Sequence, residues 1–385
     1  MIFYGKQSVN DEDIKAVEDV LRSDFLTQGP AIEKFERKVA DYCGSKYAVA
    51  VTNATSALHI ACLAANLNKG DCLWTSPVTF VASANCGRYC GANVDFVDIN
   101  PKTYNMDALA LEKKLRESKK DGRLPKVVIP VHLAGQACDM KKIRKLSEEY
   151  GFSVIEDASH ALGADYLGKK VGSCEFSDMT VFSFHPVKII TTGEGGMILT
   201  NNAETYEKLK MLRSHGITRN PSDMTKESDG PWYYQQVELG FNYRMTDIQA
   251  ALGYSQMDRL DEFVRRRRYL AKRYDDLLKD LSLKTPYVPD YANPSWHIYI
   301  VRIDFAKVKK TKKQIFEEMR KKGITLNLHY IPVHTQPYYE KLGHKPEDCP
   351  ESIKYYEEAL TLPLYYDLTD EEQEYVVEAM RDVVK

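Results

Sequence analysis

The sequence predicts an α/β protein: a large domain on a mostly parallel sheet with helices on both faces, then a smaller α+β C-terminal domain. Three observations predict it. Strand-like and helix-like stretches alternate from Tyr47 to Thr200, and repeated strand–helix–strand units imply parallel neighbours. The runs Val127-Val128-Ile129 and Val154-Ile155 are apolar without alternation, as strands covered on both sides are. After Asn242 a long helical stretch leads to a Pro-marked segment and to a few further strands and helices. This places a large domain over residues 1–250 and a small one over 251–385.

The elements follow in order. Asn10 caps a helix running to about Arg22, with Asp11, Glu12 and Asp13 in its first turn, where acidic groups suit the helix dipole. A second helix carries Ile32, Phe35, Val39 and Tyr42 on one face and stops at Gly44. Strands are expected at Tyr47–Thr52, Cys72–Ser76, Val94–Ile99, Val127–His132, Ser153–Asp157, Met179–Phe184 and Gly196–Thr200. Helices are expected at Ser56–Leu67, Ala82–Tyr89, Met106–Ser118 and Met140–Tyr150. Beyond residue 242 the pattern predicts a helical stretch over Asp247–Leu281, strands at Trp296–Ile303 and Thr325–His329, and helices at Lys312–Lys322 and Asp370–Val384.

Composition excludes several classes. Hydrophobic residues are 43% and charged residues 28%, an ordinary globular profile. A net charge of -2 gives no field to draw nucleic acid or an acidic membrane. The run Arg265–Arg268 reads as a solvated helix face, with an anionic partner as the alternative. The eight cysteines are scattered, and only Cys86 and Cys90 lie close. They form neither a zinc pattern nor a disulfide framework, so we expect no metal and reduced thiols in a cytoplasm. The N-terminus lacks a signal pattern and no apolar run approaches a membrane span.

Chemistry-bearing residues gather where the sheet's carboxyl ends should lie, the usual ligand site of open parallel sheets. Thr52-Asn53-Ala54-Thr55-Ser56 joins a strand to a helix. Free N–H groups and hydroxyls there suit a phosphate, though a plain helix cap reads equally well. Asp157 ends a buried strand, in Asp157-Ala158-Ser159-His160. A carboxylate in that place needs a partner, and a protonated ring nitrogen would serve; a turn cap is the alternative. His160 suits a place beside a ligand or an ordinary bonded core position. Lys188 stands among apolar and small residues between two buried strands, in Ser183-Phe184-His185-Pro186-Val187-Lys188-Ile189. Neutralising a free lysine at pH 7 costs roughly 4.6 kcal/mol, which desolvation reduces. A lysine that forms a Schiff base needs that setting. The glycines of Gly193-Glu194-Gly195-Gly196 precede a strand rather than a helix, unlike a dinucleotide fingerprint.

The Asp157 and Lys188 motifs, with Gly240-Phe241-Asn242-Tyr243-Arg244-Met245, resemble the DegT/DnrJ/EryC1/StrS sugar aminotransferases across essentially the whole chain. Within that family they look most like the pseudaminic-acid branch, except that Ile189 stands where a proline is expected. The resemblance implies an aspartate-aminotransferase-like fold (pyridoxal 5'-phosphate fold type I) and pyridoxal 5'-phosphate (PLP) as cofactor. It implies an amino group moved from glutamate to C4 of a UDP-linked 4-keto-6-deoxy-N-acetyl-hexose, or to another keto sugar nucleotide. Lys188 would carry the cofactor, Asp157 would pair with its ring nitrogen, and His160 would lie near the ring. Thr55, the backbone at Ala54 and Ser56, and the Ser183 hydroxyl would take the phosphate, and Phe80 would stack on the ring. Asn242 would reach the neighbouring subunit's phosphate, making a homodimer with shared active sites. His329, Tyr330 and Arg244 would lie towards the substrate. Family dehydratases carry His in place of Lys188, so the lysine favours transamination. A non-catalytic regulator is opposed by the complete set Thr55, Asp157, Ser183 and Lys188.

Overall fold

The computed structural model of the chain describes residues 1–384. Its main sheet has seven strands: β1 (Tyr47–Val51), β2 (Cys72–Thr75), β3 (Asn93–Phe96), β4 (Val127–Ile129), β5 (Ser153–Asp157), β6 (Met179–Ser183) and β7 (Gly196–Thr200). Their order is β1-β7-β6-β5-β4-β2-β3. Strands β3, β2, β4, β5 and β6 run parallel. Strand β7 is antiparallel to both β6 and β1. It follows β6 through a loop with no crossover helix, and such a connection can return a strand only antiparallel. That loop carries Lys188.

The sheet is buried on both faces because its strands, apart from edge strand β3, are apolar on both. Ala48 and Ala50 of β1 join Val128, Val154, Phe182 and Leu199 in one core, while Val49 and Val51 join Val127, Ile155, Val181 and Ile198 in the other. Covering helices include α1 (Asp11–Leu21), α2 (Pro30–Cys43), α3 (Ala54–Ala64) and α4 (Ala82–Tyr89), then α5 (Ala108–Lys120), α6 (Met140–Tyr150) and α7 (Ala203–Arg213). Asn10 caps α1 in a reciprocal box with Asp13, and Gly44 ends α2 at φ 77°, both as the sequence predicts. Helix α3 is buried nearly all round, as a helix apolar on every side must be.

The C-terminal part has a three-stranded antiparallel sheet of β8 (Leu283–Lys284), β9 (Tyr299–Ile303) and β10 (Ala359–Leu362). Helices α10 (Lys312–Lys321), α11 (Pro350–Glu358) and α12 (Asp370–Val384) accompany it. No helix among the described residues is long and apolar enough to cross a membrane.

The structure corrects several expectations. The stretch Asp247–Leu281 is two helices, α8 (Asp247–Gln256) and α9 (Leu260–Leu277), with a 3-10 turn at Met257–Arg259 between them. The apolar spacing continues across that turn, so composition does not mark it. Thr325–His329 is not a strand. Asn327 exchanges two backbone hydrogen bonds with Thr361 of β10, at 3.2 and 2.8 Å, and the chain then leaves the sheet edge. A cis peptide bond follows between His329 and Tyr330. Strands β8 and β10 and helices α7 and α11 were not predicted. The arginine run is not one solvated face either: neighbours on a helix point about 100° apart, so four in a row cannot all face water. Arg267 is 2% exposed and donates to the carbonyls of Trp296, His297 and Leu364 at 3.3, 3.0 and 3.0 Å.

Candidate active site

Lys188 lies in the β6–β7 loop, half-buried, in a narrow cleft that Lys6, Gln7, Arg267 and Tyr366 also line. Its amine has no hydrogen bond or ion pair to any described residue. Burial pushes its pKa down to about 8, against a smaller upward pull from the Asp157 carboxylate. An amine that is partly neutral near physiological pH and free of partners is a nucleophile.

Asp157 ends β5, 5% exposed, and strand pairing sets it beside Val181 of β6. Each of its oxygens is held. Ser83 of α4 donates to Oδ2 at 2.6 Å, while Ser159 donates to Oδ1 from its hydroxyl at 2.6 Å and its N–H at 3.1 Å. The Asp157-Ala158-Ser159 turn is local and was legible as Asp-x-Ser. Ser83 lies 74 residues away and carried no signal in the sequence.

The third group is the start of α3. Asn53 is its N-cap, taking the Ser56 N–H at 2.9 Å. This corrects the expected role of the Ser56 backbone: its N–H is already used, and its hydroxyl sits 3.2 Å from that of Thr52. The N–H groups of Ala54 and Thr55 donate to no described residue, so cap and anion cradle coexist at this helix end. Register brings the start of α3 level with the end of β6: Gly196 pairs with both Val51 and Ser183. A Cβ on Gly196 would lie 2.5 Å from the Asn53 carbonyl carbon and 2.6 Å from the Ala54 nitrogen. The absent side chain lets β7 press against the helix start. The Ser183 hydroxyl accepts only the His185 N–H, at 3.4 Å.

Histidines surround the lysine. His160 takes the Ala134 N–H on Nδ1 at 3.3 Å, which puts its ring proton on Nε2, 3.0 Å from the Tyr330 hydroxyl. Burial, helped by the charge of Lys188, holds His160 neutral, well below the usual imidazole range. Gly135 makes room here at φ 88°, where a Cβ would meet the His160 carbonyl at 2.7 Å. His329 pairs with Thr361 at 2.9 Å, and burial holds it down to about 3. The Tyr330 ring lies 6.4 Å from that of Phe80, which is 59% exposed.

Two predicted residues lie apart from these groups, and for Asn242 the expected partner is a neighbouring subunit. Asn242 is exposed and makes no side-chain hydrogen bond to a described residue. Its segment borders the end of β1, where Tyr243 accepts the Thr52 N–H at 2.9 Å. Arg244 instead lines a separate cavity of about 470 Å³ with Arg37, Lys46 and Arg213, its segment bridging to Val51 at the end of β1. Sequence reasoning missed His297 and Arg267, which pack behind His160 and beside Lys188.

A free amine, an oriented buried carboxylate and a helix start with two open N–H groups fit a ligand bearing an aldehyde, a basic ring nitrogen and an anionic group. Known proteins agree. The UDP-4-amino-4,6-dideoxy-N-acetyl-beta-L-altrosamine transaminase of Campylobacter jejuni (serotype O:23/36, strain 81-176) is 34% identical over 386 residues, covering 100% of this chain and 98% of the relative. Among solved structures, Helicobacter pylori PseC, an aminotransferase of pseudoaminic acid biosynthesis, superposes with a TM-score of 0.90 at 31% identity, covering 100% and 99% of the two chains. The putative sugar aminotransferase Spr1654 of Streptococcus pneumoniae, in its PMP-form, superposes at 0.89 with 29% identity, covering 99% and 98%; it is also known in a PLP-form. The DegT/DnrJ/EryC1/StrS aminotransferase family model matches residues 7–381, and this chain belongs to that family.

Proposed function

We propose that this aminotransferase uses PLP held by Lys188 to move an amino group from glutamate to C4 of a UDP-linked 4-keto-6-deoxy-N-acetyl-hexose, the pseudaminic-acid type of substrate. The observation that carries this reading is the partnerless Lys188 amine beside the held carboxylate of Asp157. The sugar is inferred from the Campylobacter and Helicobacter relatives. When bound, PLP supplies an aldehyde for an amine to join and a ring that accepts electrons as a C–H proton leaves.

The chain's own groups do the rest. Asp157 would keep a proton on the ring nitrogen. The Ala54 and Thr55 N–H groups, with the Thr55 and Ser183 hydroxyls, bind the phosphate; charged acceptors contribute about 1.5–3 kcal/mol per hydrogen bond. Phe80 and His160 would flank the ring. His160, neutral and bonded to Tyr330, orients without adding charge. Lys188 Nζ, once free, takes the α-proton of the amino donor and in the return half-reaction delivers one to sugar C4. His329 and Tyr330 face the incoming substrate. Exposed Asn242 is free to reach a second copy's phosphate, which makes the working unit a homodimer. We place the domain boundary near residue 250 and the protein in the cytoplasm, in keeping with eight unbridged cysteines.

Two measurements test this. Borohydride reduction followed by peptide mapping must fix the cofactor on Lys188; a label elsewhere overturns the cofactor assignment. Incubation with glutamate and a panel of 4-keto UDP sugars, read by mass spectrometry, identifies the acceptor. Failure of every 4-keto sugar with turnover of a 3-keto sugar overturns the substrate.

A further inference from the structure

The Lys188 charge acts on four imidazoles, those of His160, His185, His297 and His329, and among the three buried ones His297 has no partner. His297 is 3% exposed, and its ring packs on that of His160 with centroids 4.4 Å apart at 49°. Its main chain is fixed: the N–H donates to the Ala134 carbonyl at 3.0 Å, and the carbonyl accepts from Arg267 at 3.0 Å. Its side chain is not. Nδ1 is buried without a hydrogen bond, and Nε2 makes none to a described residue. The neighbours differ. His160 uses both ring nitrogens, on Ala134 and Tyr330, and His329 uses both, on Thr361 and Asn327.

A neutral imidazole offers one donor and one acceptor, and a buried polar group left unpaired is destabilising. Evenly packed surroundings would favour an apolar residue at this position, so the imidazole calls for a partner outside the fixed frame. The Lys188 amine is the mobile candidate: it too lacks a partner, and its charge acts on His297 more strongly than that of any other neighbour.

We propose that His297 is a positioning residue whose free ring nitrogen accepts a hydrogen bond from the Lys188 amine whenever that amine is not joined to the cofactor. The proposal rests on Lys188 being the cofactor-bearing lysine. The charged and titratable groups facing that amine are Asp157, His160, His185, His297 and His329, with Arg267, Lys6 and Tyr366 in the same cleft. Only Asp157 is acidic. A second carboxylate in place of His297 would pair with the ammonium and raise its proton affinity. An imidazole supplies the hydrogen bond without the charge, so the amine is held in place yet stays easy to deprotonate.

The first test uses full-length protein stripped of cofactor, with imidazole nitrogens labelled by 15N. The His297 signal is expected to shift in Lys188→Met, and an unmoved signal overturns the proposal. This arm leaves His297 unaltered, so folding of a His297 variant does not enter. The second uses the holoenzyme. His297→Phe is expected to lower kcat about tenfold, the worth of one hydrogen bond, with KM for donor and acceptor little changed. The pH at which its rate levels off should also move. His297→Gln, which keeps an acceptor, is expected to recover most of kcat. A His297→Gln enzyme as slow as His297→Phe means packing alone matters and overturns the proposal. Hydride trapping on both variants should still label Lys188. Loss of labelling in the unaltered protein would instead remove the cofactor assignment, while the nitrogen signal reports independently of cofactor.

Discussion

Ser83 Oγ donates a hydrogen bond to Asp157 Oδ2 at 2.6 Å, across 74 residues of sequence. The Thr79 hydroxyl lies 2.7 Å from that of Ser83. Ser83 has one proton and gives it to the carboxylate, so Thr79 is the donor to Ser83. The first turn of α4 thus fixes one oxygen of Asp157 while Ser159 fixes the other. The carboxylate is aimed by the fold before any ligand arrives, which is what electrostatic preorganisation requires.

Asp157→Asn should keep the fold and lose the chemistry. The amide retains the shape of the carboxylate but cannot hold a proton on a ring nitrogen. We expect kcat to fall by about 10²-fold or more, the scale on which a positioned charged group acts. Steady-state rates with glutamate check this, and circular dichroism confirms the fold. An unchanged rate means the ring nitrogen has another partner.

Ser83→Ala should act more gently, because one donor leaves and Asp157 remains. A hydrogen bond to a charged group is worth about 1.5–3 kcal/mol, and Ser159 still holds the other oxygen. A drop in kcat of roughly tenfold is expected, with KM for the sugar nucleotide unchanged. A larger drop than that of Asp157→Asn would show that Ser83 acts some other way.

The reach of the sequence can be judged residue by residue. Periodicity and caps located the seven main-sheet strands, α1 and the end of α2, because those signals are local. Lys188 and Asp157 stood out because each is an ionisable residue in apolar company, Asp157 at a strand end and Lys188 in the loop between two buried strands. Ser83, His297 and Arg267 were not, since their partners come from distant segments. Arg267 was read as surface because charge in a sequence says nothing of which helix face meets the core. Asn53 was visible as a cap residue, but only the structure assigns the Ser56 N–H to it and leaves those of Ala54 and Thr55 open.

Gly196→Ala tests the close approach of β7 to the start of α3. Its Cβ would sit 2.5–2.6 Å from backbone atoms of Asn53 and Ala54. Backbone cannot yield as a flexible side chain does, so the helix start must shift. Overpacking of this kind costs about 1–3 kcal/mol. Weaker retention of cofactor is expected along with lower stability. Dialysis followed by absorbance titration with PLP measures it, and affinity equal to the parent's would show that this helix start does not hold the phosphate.

The lysine gives a pH dependence in the joining of cofactor to stripped protein. Only the neutral amine can attack an aldehyde, and burial brings the Lys188 pKa down to about 8. The rate should therefore rise about tenfold per pH unit below that value and level off above it. Stopped-flow absorbance follows it directly. A rate still climbing through pH 10 would mean that the lysine is solvated like a surface one.

The same shift makes a statement about stability, with a definite sign. The folded pKa of Lys188, about 8, lies below its ordinary value of 10.5. Between those pH values the unfolded chain keeps a proton that the folded chain has released. Unfolding then takes up protons, so rising pH stabilises the stripped protein across this window. Below pH 8 the buried ammonium is at its full cost. Lys188→Met removes that cost and keeps most of the volume. The variant should be more stable than the parent at pH 7, by on the order of 1–3 kcal/mol, and the gap should close by about pH 10.5. Urea unfolding of both proteins at pH 7 and pH 10 measures the difference, in which other titrating groups cancel. A gap that widens with pH would mean that Lys188 is stabilised as a cation, and the lysine would then be a structural ion rather than a nucleophile.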